Sequence, residues 1–196
     1  MELFAIHMTC YWAMVYVFDN IKDKPHCFIH SAKSSLRNQF CVTLPCVCIM
    51  NNFYPQSTSA LHLSVAFTPF LTVVTDLYFY IFHRILHSKL MWNHHRYHHR
   101  GDVRIVKALD ADLLEHLVVN LGSFVSGFVV SNLCFGFVYH WYVVCAWTMI
   151  STVNTCYSHS VLLCGKNGDH ILHHRHLKYN YGVGFYVLDR LFETKL

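Results

Sequence analysis

The stretch HRILHSKLMWNHHRYHH, residues 83–99, has histidine at six of its seventeen positions. A second cluster, DHILHHRH, follows at residues 169–176. Together with His159, the two clusters contain eleven of the 17 histidines in the chain. Imidazole is the commonest metal ligand among protein side chains, so this concentration indicates a metal centre.

Within each cluster the histidines recur at helical spacing. An HxxxH pair is followed by two HxxHH patterns, and these spacings place the rings of each set on one side of a helix. The residues are His83, His87, His95, His98, His99, His170, His173 and His174. Eight imidazoles exceed the roughly four ligands of one tetrahedral zinc ion, so the sequence predicts two metals in a shared cage. Imidazole suits iron, zinc, copper and nickel alike.

Distance adds a constraint on the first cluster. In one unbroken helix, His83 and His98 would lie about 22 Å apart along the axis. Paired catalytic metals lie roughly 3.5–4 Å apart. The chain is therefore expected to bend across residues 88–93, with Asn93 as the N-cap of a helix that carries residues 95–99.

The rest of the chain has the composition of a membrane protein, with 54% hydrophobic and 13% charged residues. The longest apolar run, 117–153, is about twice the ~20 residues that cross a bilayer once, which predicts a hairpin of two spans turning near residues 132–136. The run at 40–50 is short and contains Pro45, so the number of spans is four or five. The expected fold is all-α, a multi-pass transmembrane helical bundle, and residues 1–196 are expected to form a single integral-membrane domain. The apolar runs are 3–18, 40–50, 60–82 and 117–153.

The basic residues indicate the orientation of this bundle. All 15 Lys and Arg residues fall in the loop 19–39, in the stretch 83–107 or in the tail 154–196. Crossing the membrane at each apolar run places them on one side, which the positive-inside rule identifies as cytosolic. Both histidine clusters then form a metal cap at the cytosolic face. The basic residues lack the run length and aromatic interleaving of a nucleic-acid groove, so no nucleic-acid partner is expected.

Four polar residues are candidates for supporting the metal ligands. Tyr80 and Asp76 lie one and two helical turns before His83, and burying a carboxylate at bilayer depth costs free energy unless the group has a partner. A carboxylate that accepts an imidazole N–H fixes the tautomer of a metal ligand. Glu115 and Asp169, next to His116 and His170, are candidates for the same function.

These motifs resemble the fatty acid hydroxylase and sterol desaturase superfamily of membrane non-haem di-iron enzymes. The resemblance covers about residues 60–196 and depends on DLYFYIFHRILH, HRYHH, ADLLEHLVVN, SHS and DHILHHRHLKYNYGVGFYVLDRLFET. It adds His159 to the eight histidines named above as a metal ligand. Two positions depart from the family pattern: Asp112–Leu113 replaces a frequent His-Pro, and Glu193 replaces a glycine.

The resemblance implies two iron ions, with O2 as co-substrate, that oxidise an unactivated C–H bond of a sterol or fatty-acyl lipid. The product is an alcohol or, after a second hydrogen abstraction, an alkene. No catalytic side chain beyond the metal ligands is required. The implied electron donor is cytochrome b5 or its reductase, and the implied location is the endoplasmic reticulum.

Two other classes remain open at this point. Zinc binds the same imidazole donors, so a membrane zinc protein or a metal carrier is one alternative. A zinc hydrolase would require a glutamate base beside paired histidines, as in HExxH, and the chain has none. The other alternative is a catalytically inactive homologue that acts as a membrane scaffold, which the departures at Asp112 and Glu193 favour.

Overall fold

The computed structural model describes residues 1–19, 25–54 and 58–196. Every regular element in these residues is helical, so the prediction of an all-α fold is confirmed for the part of the chain that is described. Two short π-helical segments, Gln39–Thr43 and His116–Leu121, and a 3-10 turn at Ile105–Lys107 join the α-helices. The α-helices are α1 (Glu2–Phe18), α2 (Pro25–Asn38), α3 (Leu44–Phe53), α4 (Leu61–Ala66), α5 (Thr68–Leu86), α6 (Trp92–His95), α7 (Leu113–Glu115), α8 (Gly122–Phe135), α9 (Trp141–Ser158), α10 (Val161–Cys164), α11 (Asp169–His176) and α12 (Val187–Leu191).

The helices α1, α5 and α9 all point towards the same end of the bundle. One apolar cluster contains Leu3 of α1, Leu71 of α5 and Val144 of α9, all from the first halves of their helices. A second cluster contains Tyr11 of α1 and Cys156 of α9, from their second halves. The C-terminal ends of the three helices therefore meet at one end, here called the histidine end because His83 and His159 lie there; the other is the far end.

One helical stretch in the described ranges is long and apolar enough to cross a membrane. It runs from Leu113 to Phe135, 23 residues. Helix α1 is apolar but shorter, at 17 residues. The expected turn after this stretch is confirmed: Gly136 ends α8 with φ 61, in the left-handed region that glycine adopts without strain, and α9 starts at Trp141.

The segment predicted to be a loop at 19–39 is largely helical, and that prediction is wrong for residues 25–38. Helix α2 was not predicted because its buried face carries small polar side chains, so its sequence lacks the apolar stripe that usually indicates a helix. Ser35 Oγ donates to the carbonyl of Val106 at 2.9 Å, and Asn38 Nδ2 donates to the carbonyl of Leu109 at 2.8 Å. These bonds satisfy the backbone of an irregular segment that is itself buried. Lys22 and Lys24 lie outside the described residues.

The predicted bend between the first two histidine motifs is confirmed, because α5 ends at Leu86 and α6 begins at Trp92. The predicted N-cap is wrong: Asn93 lies inside α6, whose N-cap is Met91. The turn starts earlier because the carbonyl of Ser88 accepts from the N–H of Trp92 at 2.9 Å. Helix α6 also ends at His95, and the residues after it continue as turns.

Glu193 has a left-handed backbone, with φ 55. A Cβ in this region is crowded by the following carbonyl, which costs about 1–2 kcal/mol. The preceding element, α12, ends at Leu191, and the chain reverses through Glu193 so that the N–H of Thr194 can donate to the carbonyl of Asp189 at 2.8 Å. The glycine of the resembled family pattern would adopt this conformation without strain.

We expect Glu193→Gly to stabilise the protein by about 0.5–1 kcal/mol, because relief of the strain outweighs the added freedom of the unfolded chain. Thermal unfolding of the detergent-solubilised protein measures the effect. Glu193→Ala is the control, since it removes the carboxylate but keeps the strained Cβ. Equal melting temperatures for the two variants would contradict the strain argument.

Candidate metal centre

Nine histidines form two groups of converging rings at the histidine end. In each group the ring nitrogens that face the centre lie within 4.8 Å of one another. Group one contains five residues, His83, His87, His95, His99 and His173, and group two contains four, His98, His159, His170 and His174. All nine histidines proposed from the sequence are therefore brought together.

The Nε2 atoms approach one another at a nearly constant distance. In group one, the Nε2 atoms of His83 and His95 are 3.1 Å apart, and those of His95 and His99 are 2.9 Å apart. In group two, the Nε2 atoms of His159 and His170 are 3.1 Å apart. Two nitrogens bound at right angles to one ion, each about 2.1 Å from it, lie about 3.0 Å apart. The spacing is that of ligands around a metal ion.

The hydrogen bonds at Nδ1 determine which nitrogen faces the centre with a lone pair. The Nδ1 atom of His83 lies 2.8 Å from the carbonyl oxygen of Tyr181, and that of His173 lies 2.7 Å from the carbonyl oxygen of Tyr179. A carbonyl only accepts, so both Nδ1 atoms carry the proton and each neutral ring has its lone pair on Nε2. Such lone pairs repel each other at close range unless a cation lies between them.

Group two has the same arrangement at one residue. The Nδ1 atom of His159 donates to the carbonyl of Thr155 at 2.9 Å, so its Nε2 lone pair points to the Nε2 atoms of His98 and His170. The two groups are neighbours: the ring centroids of His99 and His174, one from each group, are 4.3 Å apart. The geometry thus fits two adjacent metal ions in an imidazole cage.

Burial keeps these rings neutral. Desolvation lowers the pKa of His95 to about 3 and the pKa of His159 and His173 to about 4. At neutral pH the rings therefore carry no charge, and their lone pairs are available to a metal without prior loss of a proton.

Each HxxHH motif divides its rings between the two groups. His95 and His99 belong to group one, whereas His98 belongs to group two. In the second motif the division is reversed: His170 and His174 belong to group two, and His173 belongs to group one. The sequence predicted that each motif faces one side, but the rings of its first and last residues converge on one centre and the middle ring on the other.

The carbonyls that orient His83 and His173 belong to the segment YNYG, residues 179–182, which two buried carboxylates hold in place. Asp189 accepts from the N–H of Tyr181 at 2.9 Å and from the N–H of Gly182 at 2.6 Å. Asp76 accepts from the N–H groups of Val183 and Val187, each at 2.9 Å. The expected imidazole partner of Asp76 is thus replaced by backbone amides, and its link to the metal ligands passes through this segment.

Glu115 contacts a histidine directly. Its Oε1 atom lies 2.9 Å from Nδ1 of His95, and both side chains are about 2–3% exposed. The contact joins a carboxyl group and an imidazole that are both shielded from solvent. When the group is ionised, as beside a bound cation, it favours the tautomer with the proton on Nδ1, which leaves the Nε2 of His95 as a ligand.

The other two predicted supporting residues touch none of the nine histidines through a hydrogen bond in the described residues. The hydroxyl of Tyr80 accepts from Arg84 and lies 3.3 Å from Oγ1 of Thr194. Asp169 forms an ion pair with Lys195. Both residues support the C-terminal segment that surrounds group one.

Sequence reasoning missed Asp189 and the carbonyls of Tyr179 and Tyr181. Backbone carbonyls leave no trace in residue identity, because any residue supplies one. The sequence did contain a signal for Asp189, because a carboxylate is unexpected in the apolar stretch GFYVLDRLF. It is completely buried.

A cavity of about 370 Å³ extends from the histidines into the bundle. Its wall near the metal centre contains His83, His95, His98, His159 and His170. Further along, the wall is formed by side chains from α1, α5, α8 and α9, among them Leu3, Phe79, Phe124, Trp147 and Ile150. The volume is within the range of pockets that bind small organic ligands.

We expect Gly182→Ala to weaken metal binding roughly 10–100-fold, the usual effect of disturbing the groups that orient metal ligands. The added Cβ would lie 2.7 Å from Oδ2 of Asp189 and 2.9 Å from Oδ1 of Asp76, so the carbonyl of Tyr181 would shift away from His83. Metal content after chelator dialysis measures this. The control is Gly136→Ala at the far end, which strains a left-handed turn but adds a Cβ that meets nothing within 4 Å. A similar loss of metal in this variant would show that the loss follows general destabilisation and would refute the mechanism.

Glu115→Gln tests the contact with His95. Because the amide keeps the shape of the acid but cannot become a carboxylate beside Nδ1 when metal binds, metal affinity is expected to fall roughly 10–100-fold. Asp169→Asn is the matched control, since Asp169 precedes a ligand in sequence but pairs with Lys195. Isothermal titration of the metal-free proteins compares them, and equal affinities for both variants would remove Glu115 from the supporting set.

Comparison with known proteins agrees with this geometry. The sequence model of the family described as "Fatty acid hydroxylase" matches residues 68–194, more than half of the chain. Methylsterol monooxygenase 1 of Danio rerio is 27% identical over 185 residues, which cover 83% of this chain and 60% of that protein. The chain therefore spans about three fifths of the length of this relative. No solved structure matches the chain significantly.

Proposed function

The chain belongs to the fatty acid hydroxylase family, and we propose that it is a membrane-bound, O2-dependent oxidoreductase that hydroxylates or desaturates a sterol or fatty-acyl lipid. The observation that carries the proposal is the convergence of nine imidazole rings on two adjacent centres at one end of a largely apolar cavity. The relative named methylsterol monooxygenase 1 supports lipid oxidation as the reaction class.

In this proposal group one and group two each hold one iron ion. Bound there, the two irons would supply the activation of O2 that attack on an unactivated C–H bond requires. Zinc fits the same imidazole donors, so the donor set alone is consistent with either metal. The Nδ1 bonds of His83, His173 and His159 hold the rings in the ligating tautomer before any metal binds.

The chain's own residues then position the lipid. Phe79, Phe124, Val119 and Ile150 provide an apolar wall along the cavity. Burial of an alkyl or ring skeleton there excludes water from the histidine end, which favours a reactive centre that attacks lipid rather than solvent. No side-chain acid or base takes part in this scheme beyond the nine ligands.

We further propose that the whole chain, 1–196, is one integral-membrane domain with four or five spans and that it lies in the endoplasmic reticulum. Leu113–Phe135 is the strongest candidate for a span. The basic residues of 83–107 and 154–196 then put the metal centre at the cytosolic face. An electron donor such as cytochrome b5 or its reductase would approach that face.

The test uses the full chain in detergent or nanodiscs, supplied with iron, a reductase and cytochrome b5, O2, and sterol and acyl-lipid mixtures. We expect about two irons per chain and an O2-dependent hydroxylated or unsaturated product, detected by mass spectrometry. His83→Ala should lose both metal and product because it removes a group-one ligand.

His94→Ala is the control. His94 adjoins a ligand in sequence, but its ring is half-exposed and contacts Asp112 at 3.3 Å; both metal and product should persist in this variant. A protein that retains zinc alone and gives no oxidised lipid with any donor would overturn the oxidase proposal in favour of a zinc protein. Bound iron without any product would instead favour a scaffold.

A further inference from the structure

Three of the five group-one rings have a polar partner at Nδ1, the ring nitrogen that points away from the metal position. Backbone carbonyls of residues 179–182 accept from His83 and His173, and Glu115 contacts His95. Partners of this kind fix the orientation of a ligand ring and are usual for histidines that bind a metal. The same three histidines are buried.

The other two group-one rings, those of His87 and His99, lack such a partner. The Nδ1 atom of His99 is buried and has no hydrogen bond within the described part of the chain. Among the described residues, the polar contact of the His87 ring is made by its Nε2, to Nε2 of His173. Both residues are also partly exposed. Since neither full burial nor a hydrogen bond at Nδ1 holds these two rings, another contact is needed to keep them facing the centre.

The indole of Trp92 packs against both of these rings. Its centroid lies 5.2 Å from that of His87, 5.6 Å from that of His99 and 6.1 Å from that of His95. Tyr181 also contacts His87, at 5.2 Å, but in the described residues Trp92 is the one ring other than a metal ligand that contacts His99. All three histidines that Trp92 contacts belong to group one.

The bend between α5 and α6 places Trp92 at this position. Its N–H donates to the carbonyl of Ser88 at 2.9 Å, and its carbonyl accepts from the N–H of Arg96 at 2.8 Å. The side chain is partly exposed, and Trp92, His87 and His99 are not part of the cavity wall. Trp92 therefore covers a side of group one that is separate from the space proposed for the lipid.

We propose that Trp92 is a positioning residue that holds His87 and His99 against the ion bound in group one, and so controls how fast one of the two ions is lost. Aromatic packing here takes the place of the hydrogen bonds that orient the other three rings. The ion in group two is expected to be insensitive to Trp92, because the indole contacts rings of group one alone among the described residues. This inference rests on the proposed function through its metal centre, and it is independent of the lipid and of the oxidation chemistry.

Zinc is a suitable probe because it binds the same imidazole donors and has no redox chemistry. Full-length protein in detergent is loaded with Zn²⁺, and its release to an excess of the chromogenic chelator pyridylazoresorcinol is followed with time. In Trp92→Ala one Zn²⁺ per chain should be released roughly tenfold faster than in the wild-type protein, whereas the other should keep its wild-type rate. Trp92→Phe retains an aromatic ring and should restore most of the retention.

Phe79→Ala is the matched control. The ring of Phe79 also contacts a group-one ligand, with its centroid 5.0 Å from that of His83, but it lies on the cavity wall, and a backbone carbonyl already holds Nδ1 of His83. This variant should release zinc at the wild-type rates. General loss of stability would speed the release of both ions, so the difference between the two ions separates positioning from damage.

Wild-type release rates in Trp92→Ala, faster release of both ions, or an equal acceleration in Phe79→Ala overturns the role of Trp92. If Trp92→Ala does not fold, Trp92→Leu, which keeps apolar volume without an aromatic ring, is judged by the same rates. A wild-type protein that binds no zinc refutes the metal centre and this inference together. If one ion depends on Trp92 as expected but no lipid is oxidised with iron, O2 and an electron donor, the oxidase proposal fails and the role of Trp92 stands.

Discussion

The geometry of the candidate metal centre depends on two backbone carbonyls, those of Tyr179 and Tyr181. Each accepts the Nδ1–H of a group-one histidine, and this fixes both the proton and the ring orientation of His173 and His83. Because a ring nitrogen can ligate a metal only where it has its lone pair, these two bonds decide that Nε2 faces the centre. A side chain could be replaced by mutation at these positions without loss of the acceptor, so the segment's conformation matters more than its residue types.

That conformation is held by buried charge. Asp189 and Asp76 are almost fully buried, and each accepts from two backbone N–H groups of residues 181–187. Such bonds satisfy carboxylates that would otherwise be costly to bury, and they tie the C-terminal segment to α5, the helix that carries His83. The close approach leaves no room for a Cβ at Gly182. The position of His83 on α5 therefore depends on the conformation of the C-terminal segment that the two carboxylates hold.

Much of this arrangement was predictable from the sequence, and the features that sequence reasoning missed have identifiable physical reasons. Histidine spacing predicted eight of the nine residues that converge, and the family resemblance added His159. The distance between the first two motifs predicted the bend between Leu86 and Trp92. Spacing did not predict how each motif divides between two centres. The second motif lies entirely within α11 and still divides, because adjacent helical residues such as His173 and His174 are rotated by about 100° about the helix axis. Helix α2 was missed because its buried face is polar, with Ser35 and Asn38 bonded to backbone carbonyls. The partners of Asp76 were missed because backbone amides cannot be read from residue identity.

Because the two HxxHH motifs divide in opposite ways, each group of histidines contains rings from both segments of the chain. Residues 83–99 contribute four rings to group one but only His98 to group two, and residues 159–176 contribute three rings to group two but only His173 to group one. Neither segment can complete either coordination sphere alone. If each group binds one ion, as proposed, both segments must be docked before either ion has its full set of ligands. A chain caught midway through folding would then offer an incomplete set of ligands at both positions.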